Sequence, residues 1–155
     1  MKFIKFLFII FISLPATIKA DSNKNLVNEL KEGGKLIFIR HAYAPGVGDP
    51  DSFNIQDCGT QRNLNYNGKE QAKEIGEFFR TNQIKIDKIL SSEWCRCKDT
   101  ASIAFKNYET KSFLNSFYST KFADNKDTQI VDLKKYVNKW KSDKNLVLVT
   151  HYVVI

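Results

Sequence analysis

Lys35-Leu36-Ile37-Phe38-Ile39-Arg40-His41 is the stretch that decides the fold. Its apolar part, Leu36 to Ile39, is short, β-prone and without polar alternation, the pattern of a strand covered on both faces. Gly33-Gly34 precedes it, and a loop containing Pro45, Gly46, Gly48 and Pro50 follows. A strand that ends in Arg-His delivers both side chains to its carboxyl end, where ligand sites collect in open α/β sheets. The chain has only two histidines. The other, His151, follows a second apolar run, Leu146-Val147-Leu148-Val149-Thr150. Both histidines therefore stand at the same kind of place.

Reading outward, Asp21 to Glu32 carries Leu26, Val27 and Leu30 at helical spacing and ends at the paired glycines. Ala42 to Asn63 is a long loop rich in Gly, Pro, Asp and Asn, and a loop of that length in a compact domain serves function or moves. A helical pattern opens at Asn67-Gly68 and runs to about Thr81, with Ala72, Ile75, Gly76 and Phe79 on one face. A second strand lies within Ile84 to Leu90 and ends in Ser91-Ser92. A helix follows from near Trp94 to Phe105, and Tyr108 to Phe117 has room for one short strand. Phe122 to Thr128 reads as loop, Ile130 to Trp140 as helix, and Asn145 to Thr150 as the third clear strand. Strands alternating with amphipathic helices predict an α/β fold, a three-layer α/β/α sandwich with a mainly parallel, Rossmann-like sheet. A strand as apolar as the last one calls for a covering helix after His151, so the sequence reads as a C-terminally truncated member of its family or as a fragment.

The N-terminus has the form of a targeting segment. Lys2 and Lys5 precede an apolar stretch, Phe6 to Ile12, then Pro15 and a small residue at Ala20. Residues 1–20 are expected to be a secretory signal peptide cleaved before Asp21, with 21–155 as the single mature domain. The apolar run is short of the ~20 residues of a membrane span, so no stable membrane anchor is expected after cleavage. The expected location is exported, periplasmic or secreted. Of the 24 Lys and Arg, three lie in that segment, which leaves 21 against 17 acidic residues, a mature charge of +4. These charges are interleaved, which describes a solvated mixed surface rather than a polyanion-binding block. The aromatics, among them Phe78, Phe79, Trp94, Phe105 and Trp140, read as core, and the strands lack the exposed aromatics that nucleic-acid binding needs. Cys58, Cys95 and Cys97 do not form a zinc-ligand pattern, and no metal or cofactor is expected.

Arg40, His41, Arg96 and His151 all fall just after predicted strands. Guanidinium groups match phosphate oxygens in bidentate geometry, and a helix start such as that near Arg96 adds free N–H groups and a favourable dipole. Together they describe a pocket the size of a phosphoryl group. A histidine beside arginines stays neutral, and a neutral imidazole is a nucleophile.

Four segments then resemble the histidine phosphatases, the phosphoglycerate mutase-like superfamily. Leu36-Ile37-Phe38-Ile39-Arg40-His41-Ala42 is similar to the strand and RHG signature, with Ala42 in place of glycine. Gln61 to Ala72 is similar to R-x-L-x-x-x-G-x-x-Q-A. Leu90 to Ala101 is similar to S-S-P-x-x-R-x-x-x-T-A, with Glu93 in place of proline. Val147-Leu148-Val149-Thr150-His151 is similar to the strand before the second histidine, with Tyr152 where glycine is common. The resemblance implies an exported, metal-independent phosphomonoesterase acting on a small phosphorylated substrate. It implies His41 as the nucleophile of a phosphohistidine intermediate, Arg40 and Arg96 as the clamp, His151 as the completing donor, and Arg62 as a substrate-binding residue at the rim.

The family's acid, which protonates the leaving group, follows a segment like Phe113-Leu114. Asn115 and Ser116 stand there instead, with Glu109, Asp124 and Asp127 as the nearby carboxylates. A degenerate or truncated relative that binds phosphate without turnover is the alternative. Cys58 and Cys95 fall in two loops flanking the proposed pocket. Either they form a disulfide or all three thiols are free, with Cys97 facing the core.

Overall fold

The computed structural model describes residues 18–155. The signal-peptide reading falls almost wholly before that range, outside the described residues. The elements are helix α1 (Ile18–Glu32), strand β1 (Leu36–Arg40), α2 (Tyr66–Thr81), β2 (Ile86–Ser91), α3 (Cys95–Phe105), β3 (Glu109–Thr110), α4 (Lys126–Lys139) and β4 (Asn145–Thr150). The four strands form one sheet in the order β1-β4-β2-β3, every pair parallel. Leu36 to Arg40 lie opposite Leu146 to Thr150, so Arg40 and Thr150 end their strands level with each other. Ser91 of β2 is level with Val149. His41 and Ser92 extend the pairing by donating their backbone N–H groups to Thr150 O and Val149 O, each at 2.9 Å. One shared edge thus carries the ends of three strands.

Period-two alternation along β4 sorts the core into two layers. Val147 and Val149 join Phe79 of α2, Cys97 and Ala101 of α3, and the partly buried Ile37, Ile39 and Ile89 on one face. Leu146 and Leu148 join Leu90, Leu114 and Leu133 of α4, with Phe38 and Trp140, on the other. Each leucine so enclosed contributes about 1.5–3 kcal/mol relative to exposure. The result is a three-layer α/β/α sandwich on a parallel sheet. Asn145, at the start of β4, is a fully buried polar residue with both amide hydrogens and its oxygen bonded. Its amide accepts from Lys35 N and donates to Leu30 O and Lys85 O, joining the entries of three strands.

The helices follow their expected faces, with shifted ends. Asn65 caps α2 by accepting from Gly68 N, so the helix starts ahead of the Asn67-Gly68 pair. α4 begins at Lys126 within what reads as loop. Its first turn carries Asp127, which suits the helix dipole but supplies no apolar period. β3 is the short strand for which Tyr108 to Phe117 has room. No helix of the described residues is long and apolar enough to cross a membrane.

Gly76 allows α2 to lie backbone-to-backbone on α3. A Cβ there would stand 2.2 Å from Ala104 O and 2.8 Å from Ala104 Cα. Neither atom belongs to a flexible side chain, so the helices would have to part. Gly76→Ala is expected to destabilise the fold by about 1–3 kcal/mol, read as a lowered urea midpoint at unchanged m-value.

Candidate functional site

A cavity of about 720 Å³ opens at the shared strand edge, and Arg40, His41, Arg62, Arg96 and His151 all line it. A neighbouring hollow of about 700 Å³ shares a wall that includes Phe53, Trp94 and Phe122, but holds none of the five. The candidate chemistry therefore belongs to the first cavity.

His41 follows β1 directly and is buried. Its Nδ1 lies 2.8 Å from Ala42 O. A carbonyl only accepts, so Nδ1 carries the hydrogen and Nε2 the lone pair. Among the described residues Nε2 has no partner, and it is not sealed from the cavity. Burial, seconded by the charges of Arg96, Arg62 and Arg40, lowers the His41 pKa to about 4. Ala42 is accommodated where the signature has glycine. Its N–H donates to Thr100 Oγ1, and its methyl packs among Ala44, Leu64 and Ala72.

His151 follows β4 and meets His41 edge-on, ring centroids 5.5 Å apart. Its Nε2 lies 3.0 Å from Ser92 Oγ and 3.5 Å from Cys97 Sγ. Burial, then the charge of Arg96, lowers its pKa to about 2.

Arg96 sits in the first turn of α3, with only 4% of its side chain exposed. Its Nη1 and Nη2 donate to the two oxygens of Asp49 at 2.7 and 3.2 Å. Its Nε is buried without a partner among the described residues. Asp49 also accepts from Arg62 N and Trp94 Nε1. Burial raises the pKa of this carboxyl, but the hydrogen bond from Arg96 and the others outweigh it and hold it below its ordinary value.

Arg40 is exposed at the mouth, at the end of β1. Arg62 lines the wall, but its donors serve the loop: Nε donates to Gly48 O at 2.8 Å and Nη1 to Ala44 O. It organises the wall more than it reaches into the cavity. The loop is further tied by a Cys58–Cys95 disulfide beside Arg96, and by Gln61, which accepts from Cys95 N and donates to Asn54 O and Ile55 O. Cys97 is the buried free thiol.

The three carboxylates near the expected acid position do not reach the site. Glu109 is exposed on β3 and paired with Lys111 at 3.1 Å, and Asp124 and Asp127 are exposed around the start of α4. None lines the cavity, whose carboxylates are Asp49 and the exposed Asp51. Asn115, standing where an acid is looked for, accepts at Oδ1 from Ser92 Oγ and Glu93 N, and donates through Nδ2 to Glu93.

Sequence reasoning missed Asp49, Ser92 and Asn115 as site residues. Gly48-Asp49-Pro50 marks a turn, and nothing in that composition marks an arginine's counter-ion. An aromatic wall was also missed: Phe53 stacks on Trp94 at 4.9 Å, and both meet Phe122 edge-on at 5.5 Å. Among the described residues no group of three or more His, Cys, Asp or Glu is placed to hold a metal ion. The arrangement is a buried cationic pocket with a neutral imidazole lone pair at its base, suited to a tetrahedral anion.

A family profile described as the histidine phosphatase superfamily (branch 1) matches residues 36–145. A broad-specificity phosphatase of Saccharomyces cerevisiae is 27% identical over 109 residues, 68% of this chain and 46% of that protein. The mitochondrial serine/threonine-protein phosphatase Pgam5 of Drosophila willistoni is 31% identical over 93 residues, 59% of this chain and 29% of that one. The chain thus spans less than half the length of the curated relatives it matches. Among solved structures, the protein histidine phosphatase SixA complexed with tungstate aligns with a TM-score of 0.53 at 14% identity, over 77% of this chain and 70% of that one. A mutant phosphoserine phosphatase of Entamoeba histolytica, in complex with phosphoserine, aligns with a TM-score of 0.52 at 20% identity, over 75% and 73%.

Proposed function

The chain belongs to the histidine phosphatase superfamily, branch 1, and from that premise we propose that it hydrolyses phosphomonoesters through a phosphohistidine on His41, without a metal. The observation that carries the reading is the His41 ring, held by Nδ1–H on Ala42 O with its Nε2 lone pair free at the base of a cationic cavity. In the first step Nε2 forms the P–N bond while the P–O bond breaks, its electron pair leaving with the alcohol oxygen. The departing oxygen takes a proton from solvent. In the second, water attacks phosphorus and releases a proton to solvent, the P–N electron pair returns to Nε2, and phosphate departs. Arg96 and Arg40, which both line the cavity, offset the phosphoryl charge. No carboxylic acid is positioned for the leaving oxygen among the described residues, which favours aryl and other readily departing groups.

Brief reaction with labelled aryl phosphate and quenching in alkali tests the proposal. The expected result is an alkali-stable, acid-labile label on the chain. Phosphate binding with neither label nor turnover would instead establish the binding-only alternative. The pH profile is a second check. A histidine with a lowered pKa is unprotonated down to that value, so the acid limb of kcat/KM set by His41 is expected near pH 4. A limb near the ordinary histidine value of ~6.5 would mean that burial and the arginines do not lower the His41 pKa in the free protein.

We also propose that the protein is exported, with residues 1–20 as the cleaved signal. The Cys58–Cys95 disulfide supports this, because such bonds persist in oxidising compartments.

A further inference from the structure

His151 has an unusually complete set of partners on one side. Asn115 Oδ1 accepts from the backbone N–H of Glu93 at 2.9 Å, while its Nδ2 donates to Glu93 Oε2 at 2.6 Å. A backbone N–H can only donate and a carboxylate only accept, so the orientation of the Asn115 amide is fixed. The Ser92 hydroxyl, 3.0 Å from the same Oδ1, must therefore donate to it. Its hydrogen is then committed, and Ser92 Oγ can only accept from its remaining neighbours. These are Trp94 N at 3.3 Å, His151 Nε2 at 3.0 Å and the Cys97 thiol. His151 Nε2 carries the hydrogen, and its Nδ1 is left as a lone pair. Nδ1 has no partner among the described residues and, like His41 Nε2, is not sealed away from the cavity that His151 lines.

Both histidines thus present lone pairs to a phosphoryl group. One lone pair is needed for attack. The other would stand against an anionic oxygen unless it gained a proton. We propose that Ser92 and Asn115 are positioning residues that hold His151 as its Nε2–H tautomer, so that a phosphoryl dianion is bound together with one proton at His151 Nδ1. This rests on the phosphoryl-binding reading of the cavity.

One competing base stands beside His151, the lone pair of His41 Nε2; the Ser92 and Asn115 variants leave it untouched, so a proton held there would show as unchanged uptake in them. Arg40 and His41 approach from β1, Arg62 from the loop, and Arg96 and Cys97 from α3. Asp49 is held ionised by Arg96, and burial pushes the Cys97 thiol up to about 12, so it keeps its hydrogen. Glu93, on the far side of Asn115, is spent on the amide.

Phenylphosphonate, a non-hydrolysable aryl phosphate analogue, is the probe. Calorimetric titration at about pH 8.5, where it is a dianion without a P–OH, is run in two buffers of different ionisation enthalpy to count protons. One proton taken up per ligand is expected in the parent. In Asn115→Ala the freed Ser92 hydroxyl can donate to Nε2, which places the hydrogen on Nδ1, so uptake is expected to fall toward zero. Ser92→Ala removes the acceptor itself and gives the same direction should Asn115→Ala fail to fold. A purely structural role would weaken binding with an unchanged proton count. Binding without net uptake in the parent overturns this inference alone, as does undiminished uptake in a folded variant. No binding at all overturns the phosphoryl reading and this inference with it.

Discussion

His41→Ala is expected to lower aryl phosphate hydrolysis by about 10³-fold or more while the protein stays folded. The magnitude follows from the absence of a substitute nucleophile. The chain has one other imidazole, His151, whose Nε2–H is held by Ser92. Its Nδ1 takes the proton that the bound dianion requires, and a protonated nitrogen does not attack. Cys97 lies close by, but burial keeps it a thiol with a pKa of about 12, and thiols are poor nucleophiles. What remains is the charge of Arg40 and Arg96, which can bind a phosphoryl group without a partner to receive it. His41→Asn is the companion variant: it fills more of the space and cannot form a stable phosphoryl adduct. Both are expected to bind phenylphosphonate and to lose the alkali-stable label. A rate within about tenfold of the parent in either variant would move the nucleophile elsewhere.

The sheet was legible because its signal is local. Leu36–Ile39 and Leu146–Val149 are apolar runs, and two histidines after two such runs locate one edge of one sheet. β3 was less legible because Glu109 and Thr110 are exposed at the sheet's end, where burial imposes little pattern. The start of α4 was missed because four polar residues precede its first apolar contact. At the site, strand ends and motif order were enough to bring Arg40, His41, Arg96 and His151 together. Arg62, expected at the rim as a substrate-binding residue, lines the wall with its donors spent on Ala44 O and Gly48 O, which only the course of the loop decides. Asp49, Ser92 and Asn115 act through partners 47, 59 or 23 positions away, and no periodicity encodes such pairings. The acid was sought by residue type near Leu114. The chain instead put an amide there and linked it, through Ser92, to a histidine.

Asp49→Ala carries the largest expected cost in stability, about 3–5 kcal/mol, because it strands a buried charge. The Arg96 side chain is 4% exposed and the Asp49 side chain 14%, so the guanidinium has little solvent to offset the lost carboxylate. Trp94 Nε1 and the Arg62 backbone N–H lose their acceptor in the same substitution. Asp49→Asn keeps one oxygen for those donors but turns an amide nitrogen or a weaker acceptor toward Arg96, so its loss is expected to be smaller. Urea midpoints read both. Two measurements separate a stranded charge from a generally damaged loop. Combining Asp49→Leu with Arg96→Met in one chain removes both charges and should recover much of the loss, a coupling that a double-mutant cycle measures. Sulfate should also stabilise Asp49→Ala more than the parent, since an anion can take the carboxylate's place on Arg96 and binding to the native state adds stability by mass action. If sulfate lifts both midpoints equally and the charge-free double variant is no better than Asp49→Ala alone, the ion pair is not what holds this wall. Asp49 would then matter only as a turn residue between Gly48 and Pro50.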